Sequence, residues 1–195
     1  IKVDRPPYFK NTQGLPGGLL RPDETAEMAA VRNLKEKACI KTKAYLEQLY
    51  TFSDIDRDPR GRVVAVAYLA LVPWEKLSTA DRQDEDKAWW SEVRHLPKLA
   101  YDHDKVVAVA LGRLRSRITY STLMVKLMPS EFTLTELEKA YEVVLGKGID
   151  KRNFRKKIKK LKLVVSLGRK RSGLKHRPAV LYRFRSPEIQ ATEVL

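Results

Sequence analysis

Several residue types that would fix a function outright are scarce or missing. The chain holds one cysteine, Cys39, which excludes an internal disulfide framework and any cysteine-rich zinc site; a reducing cytoplasm is the expected compartment. No apolar run approaches the roughly 18–20 residues that cross a bilayer, and no signal-peptide pattern is present, so no membrane partner is expected. No internal repeat or low-complexity tract is visible. The adjacent pair Asp102 and His103 has no serine or cysteine nucleophile signature with it, and adjacency in sequence does not bring two side chains into contact. A capping or inter-domain role is expected for that pair. The loop Asp54–Gly61 carries three aspartates but lacks the glycine and glutamate positions of an EF-hand, so a solvated turn is expected.

Negative charge is nearly absent from one block. Between Asp150 and Arg185 stand 15 Lys and Arg against a single acidic residue, and that block accounts for +14 of the chain's net +15. Its first part reads as a helix capped by Asp150, with Phe154, Ile158 and Leu161 on one apolar stripe. Arg152, Lys156 and Lys159 point away from that stripe, flanked by Asn153, Arg155 and Lys160. The second part reads as a β-hairpin, Val164–Leu167 and Ala179–Phe184. Its Gly168–Pro178 loop carries Arg169, Lys170, Arg171, Lys175, His176 and Arg177. Upstream, Thr133 to Glu136 fits a capping box for a helix with Leu134, Leu137, Tyr141, Val144 and Leu145 inward. Helix, turn, basic helix and hairpin with a basic tip make a winged helix-turn-helix, whose second helix enters the major groove while the wing reaches the backbone or minor groove.

That pattern makes double-stranded DNA the expected partner. The expected DNA-binding residues are Lys151, Arg152, Asn153, Arg155, Lys156, Lys159, Arg169, Lys170, Arg171, Lys175, His176 and Arg177. Of these, Arg152, Asn153 and Lys156 are candidates for base edges, because Arg and Lys match guanine O6/N7 and Asn matches adenine N6/N7. RNA is the main competitor, but the block lacks exposed aromatics for stacking on unpaired bases, since Phe154, Tyr182 and Phe184 fit core positions.

Residues 1–120 read as a second domain and 121–195 as the DNA-binding one. The chain opens at Ile1 within a strand-like stretch, so part of the first strand is expected to lie upstream. A glycine-rich turn at Gly14–Gly18 precedes a helical pattern over Glu24–Cys39 with Ala30, Leu34 and Ala38 inward. Strands are expected over Tyr45–Asp56 and Val63–Val72, and a polar surface loop over Ser78–Lys87. Trp74, Trp89 and Trp90 read as packing residues or a pocket wall. A long helix is expected to run through Arg117 with Leu99, Val106, Ala110 and Leu114 inward, and Ser121–Glu131, with Met124, Leu127 and Met128, opens the second half.

Gly18, Glu24, Arg32, Leu34, Glu36 and Ile40 stand at spacings that resemble the Nudix box, G-x5-E-x7-R-E-U-x-E-E-x-G-U. Three positions depart from it: Asn33 for glutamate, Lys37 for the second glutamate of the E-E pair, and Cys39 for glycine. In active Nudix enzymes several carboxylates present Mg²⁺ to a pyrophosphate. With Lys37 and Asn33 here, no metal is expected to be required; Glu24, Glu27 and Glu36 are the residual candidates to hold one. A degenerate Nudix box followed by a winged helix, with the segments at 15–18, 96–103 and 132–158, resembles the Nudix-related transcriptional regulators. One further departure is Gln13, where many members carry tryptophan.

The resemblance implies an α+β protein, a Nudix-like α/β/α sandwich followed by a winged helix-turn-helix. It also implies a bacterial homodimeric repressor of NAD biosynthesis or salvage genes, holding a near-palindromic operator and sensing ADP-ribose or a related nucleotide. Catalysis is not expected, and no cofactor is required. Gly17, Gly18, Arg32 and Glu36 are the expected effector-binding residues. The alternatives are a Mg²⁺-dependent Nudix hydrolase of a nucleoside diphosphate derivative, a pentose-responsive regulator of sugar-use genes, and a general nucleic-acid or scaffold protein.

Overall fold

A computed structural model of the chain describes residues 1–78, 88–171 and 178–195 and separates into two units, Ile1–Ala110 and Leu111–Leu195. In the first unit, β1 (Lys2–Arg5) and β2 (Phe9–Gln13) form an antiparallel hairpin in which Lys2 faces Gln13. The glycine-rich turn follows, and then helix α1, Ala26–Glu36. Thr25 starts this helix by accepting a hydrogen bond from the Met28 amide at 3.2 Å, the satisfaction of an orphan donor that hydroxyl caps supply. The helix is therefore shorter than the expected Glu24–Cys39. Its buried line is Ala29 and Asn33, one helical turn apart, instead of Ala30, Leu34 and Ala38; Leu34 is half-buried and Ala38 lies beyond the last turn. Cys39, where the Nudix pattern has glycine, takes a left-handed φ of 57°.

Strands β3 (Tyr45–Phe52) and β4 (Ala65–Leu71) pair antiparallel from Tyr45 opposite Leu71 to Phe52 opposite Ala65. Both are shorter than expected at the ends that face Asp54–Gly61. That loop is a largely exposed turn, as expected, except that Arg57 and Asp58 are buried in it. The Arg57 guanidinium donates twice to Asp102, at 3.0 and 2.7 Å, and Arg60 donates twice to Asp58, at 2.9 and 2.7 Å. Two bidentate pairs replace the hydration that the buried Arg57 and Asp58 would otherwise need, while Asp54 and Asp56 stay exposed. Trp74 and Trp90 remain about half exposed and meet edge to face at 5.7 Å. The expected loop over Ser78–Lys87 lies, from residue 79 on, outside the described residues.

Helix α2 spans His103–Tyr120, three residues longer than expected. Val106 packs with Leu49 and Phe52, with Leu15, Ala65, Ala67 and Ala110 around them. The segment leading into it is tied down at three successive points. Ala100 donates its amide to the Gln13 carbonyl at 2.7 Å, Asp102 holds Arg57, and the Leu15 amide donates to His103 Nδ1 at 3.0 Å. Asp102 and His103 are thus anchors for the Asp54–Gly61 loop and the glycine-rich turn.

In the second unit a 3-10 turn over Leu123–Lys126 buries Leu123 and Met124. Then come β5 (Phe132–Thr133), α3 (Leu134–Leu145), α4 (Lys151–Lys160), β6 (Val164–Arg171) and β7 (Ala179–Phe184). The sheet order is β5-β7-β6, all antiparallel. The expected capping box is present: Glu136 donates its amide to Thr133 Oγ1 at 3.1 Å, and Thr133 donates its own to Glu136 Oε2 at 2.8 Å. Gly146 closes α3 at a left-handed φ of 72°, where the glycine avoids the Cβ penalty. Tyr141 meets Phe154 edge to face at 5.0 Å, and Phe132 packs on Phe184 at 4.9 Å, so these rings serve the core. The tail folds back over the end of α2, with Val194 fully buried and its amide donated to the Thr119 carbonyl at 2.7 Å.

Candidate functional site

The basic helix α4 is fixed from below and bare above. Phe154 and Ile158 are buried, and Asp150 caps the first turn by accepting from the Asn153 amide at 3.0 Å. Lys151, Arg152, Lys156 and Lys159 are all exposed and enter no ion pair among the described residues. Asn153 is exposed as well, but its Nδ2 donates to Asp150 Oδ2 at 2.8 Å.

Arg155 is different. Its guanidinium clasps the carboxylate of Glu138, donating to Oε1 and, at 3.0 Å, to Oε2, and it also donates to Thr135 Oγ1 at 3.1 Å. The Glu138 side chain is only 1% exposed, so Arg155 neutralises a buried charge and pins α4 to α3. The same logic governs the wing. Residues 169–171, expected in a loop, continue β6, because the ladder resumes at Lys170 opposite Val180 after Gly168 turns through a φ of 69°. Arg169 pairs with Glu131, and Arg171 pairs with Glu136 and donates to the Glu131 carbonyl at 3.4 Å. Lys170 alone of the three is outside any ion pair among the described residues. The expected wing residues Lys175, His176 and Arg177 lie outside the described residues.

The glycine-rich turn and α1 make the second site. Arg32 donates Nε to Glu24 Oε2 at 2.8 Å, Nη2 to Glu24 Oε1, Nη1 to Glu36 Oε2 at 3.3 Å and Nη2 to the Leu19 carbonyl at 3.1 Å. The guanidinium beside it holds the Glu24 carboxyl down at about 2, and the carboxylates push Arg32 up. Nε and Nη2 of Arg32 therefore tie the turn to the helix, and Nη1 bonds along the helix itself. Gly18 sits so close to α1 that an added Cβ would lie 2.8 Å from Asn33 Oδ1 and 3.3 Å from Lys37 Nζ. Lys37 donates to the Gly17 carbonyl. Asn33, 4% exposed, donates Nδ2 to the Ala29 carbonyl at 2.8 Å, while its Oδ1 is buried with no hydrogen-bond partner.

The NUDIX domain family matches residues 3–110 and the NrtR DNA-binding winged helix domain matches residues 124–184. The ADPR-responsive transcriptional repressor NtrR of Acinetobacter baylyi is 36% identical over 178 residues, which cover 90% of this chain and 70% of that protein. The chain belongs to the NrtR-type Nudix family. The crystal structure of Shewanella oneidensis NrtR complexed with a 27mer DNA superposes with a TM-score of 0.79 at 34% identity, covering 95% of this chain and 84% of that one. An ADP-ribose pyrophosphatase of Methanocaldococcus jannaschii is 37% identical over 99 residues, 51% of this chain and 57% of that enzyme. As an NrtR-type protein the chain has the expected α+β class, a Nudix domain followed by a winged helix. Within this frame, sequence reasoning missed three things: the clasp of Arg155 on Glu138, the two wing arginines held by Glu131 and Glu136, and the contact of Asn33 and Lys37 with the glycine turn. The α-helical spacing of 33 and 37 carried a signal for the last; no local signal marks the others.

Proposed function

We propose that this chain is a DNA-binding transcriptional repressor of the NrtR type, acting as a homodimer on a near-palindromic operator and sensing ADP-ribose through its Nudix half. The observation that carries the reading is the exposed row Lys151, Arg152, Lys156 and Lys159, outside any ion pair among the described residues, on the helix after a capped helix-turn, in a chain that shares family and fold with a repressor and with a structure crystallised on DNA. Arg152 and Lys156, with Asn153, address base edges; Lys151, Lys159 and Lys170 meet phosphates. Arg155, Arg169 and Arg171 hold the frame and reach DNA only with whatever donors their carboxylate partners leave over. Lys175, His176 and Arg177, outside the described residues, add further contacts to the DNA in this reading. The effector half comprises residues 1–120 and the DNA-binding half residues 121–195. The effector meets the turn at Gly17 and Gly18, while Arg32 and Glu36 shape that turn from beneath.

The chain works without catalysis in this reading, and NAD-related genes are its targets in the cytoplasm. The similarity to a pyrophosphatase supports the rival reading, a hydrolase. One experiment separates them: titrate specific DNA with the full chain, with and without ADP-ribose, while following AMP release. Loss of DNA binding with the nucleotide intact supports the repressor. Steady Mg²⁺-dependent release of AMP with DNA binding unchanged supports the hydrolase.

A further inference from the structure

The Nudix pattern implies Mg²⁺, and the donor set at the turn does not suit it. A hard divalent cation takes several oxygen ligands, carboxylates above all. Glu24 has both oxygens engaged by Arg32, and its Oε1 also accepts from the Arg21 amide at 2.9 Å. Glu36 lies between Arg32 at 3.3 Å and Arg21 at 3.6 Å. Asn33 offers one neutral oxygen in place of a carboxylate. Among the described residues no group of three or more His, Cys, Asp or Glu could hold a metal ion.

What occupies the place instead is a cation of the chain's own. Lys37 is one helical turn from Asn33, and both side chains face the backbone of Gly18. Its ammonium has three donors. Among the described residues one goes to the Gly17 carbonyl, which holds the charge at the turn and leaves two donors for incoming oxygens. Asn33 supports the arrangement by being neutral: a carboxylate at the same buried position could not donate to the Ala29 carbonyl and would draw the lysine off the turn.

We propose that Lys37 is a resident cation standing in for a divalent metal: fixed on the Gly17 carbonyl beside Asn33, it receives the pyrophosphate oxygens of the effector, and Asn33 and Lys37 together keep a metal out. This rests on the ADP-ribose reading for the identity of the ligand, but not for the exclusion of metal. Effector capture then needs no metal ion, and the pyrophosphate is held without the Lewis acid that would activate it toward water.

The test has two arms on the full chain. In the first, Mn²⁺ alone is titrated and followed by electron paramagnetic resonance. The wild type is expected to bind no Mn²⁺, and K37E and N33E/K37E to gain a site; a stoichiometric Mn²⁺ site in the wild type overturns the proposal. In the second, ADP-ribose binding is measured by calorimetry in Mg²⁺ and in EDTA. Equal affinity in both buffers, a loss of about 10-fold or more in K37M, as for one charge-assisted hydrogen bond, and rescue in K37R support it. Affinity that vanishes in EDTA, or K37M binding like the wild type, overturns it. If ADP-ribose fails to bind in either buffer while the Mn²⁺ arm behaves as expected, the effector reading falls and the exclusion of metal stands. Thermal melting of each variant checks that the fold is retained.

Discussion

At the scale of single residues, two neighbouring glycines do different work. A Cβ at Gly18 would stand 2.8 Å from Asn33 Oδ1, and Asn33 cannot retreat because it is buried and bonded to Ala29; a Cβ at Gly17 meets nothing within 4 Å. G18A is therefore expected to cost about 1–3 kcal/mol, as overpacking does, while G17A stays within about 0.5 kcal/mol of wild type. Urea unfolding of the two variants checks the contrast. His103 supplies a pH dependence. Burial pushes its imidazole below the usual value, against the pull of Asp102 and Asp104, and its Nδ1 must stay unprotonated to accept the Leu15 amide. The unfolded chain then binds a proton more readily than the folded one. The stability His103 confers is complete above about pH 6.5, the unperturbed value, and is lost as pH falls below it. H103Q, which keeps an acceptor but does not titrate, is expected to flatten the melting temperature between about pH 6.5 and 5; an unchanged slope would remove His103 from the account. Glu24 acts in a separate, more acidic window, since its carboxyl is held at about 2.

At the scale of elements, what could be read from sequence was what is local. Thr133 and Glu136 announce their own cap and Asp150 announces α4, because each signal lies within four residues of the group it satisfies. The helix-turn-helix and hairpin followed from these and from the 3.6 and 2.0 periodicities. The Nudix box was legible as spacing, yet the buried face of α1 was not, because a polar Asn33 inside and a half-buried Leu34 invert the usual rule. The Arg155–Glu138 clasp was hidden for a similar reason. A cation in a basic run gives no sign that a carboxylate 17 positions earlier will be buried beneath it. This separates two arginines that sequence treats alike. R155A strands a carboxylate whose side chain is 1% exposed, and is expected to destabilise by about 1–3 kcal/mol and to weaken DNA binding through loss of the α3–α4 frame. R152A, on an exposed residue with no ion pair among the described residues, should leave the melting temperature unchanged and relax sequence preference by about 1–3 kcal/mol. Melting and binding to matched and mismatched operators, measured together, tell the two apart.

At the scale of the whole molecule, the decisive feature is where the charge is. Of a net +15, all but one unit lies between Asp150 and Arg185, and internal carboxylates consume part of even that: Glu138, Glu131 and Glu136 bind Arg155, Arg169 and Arg171. The described cations outside ion pairs that are assigned to phosphates, Lys151, Lys159 and Lys170, put a dimer at the lower end of the range of about 6–10 phosphate contacts, and Lys175 and Arg177 add to it. Counterion release then sets the salt response. Affinity for the operator is expected to fall by about 10³–10⁵ as salt rises from about 50 to 200 mM. The paired arginines sharpen this into a comparison. K170A should reduce the slope of log Kd against log salt by about one unit at each half-site, whereas R169A, whose charge already belongs to Glu131, should change it less. Equal slopes for the two variants would mean that DNA draws Arg169 away from Glu131, and β6 would then count as a full phosphate clamp and not as a braced strand on which, among the described residues, Lys170 alone of residues 169–171 is outside an ion pair.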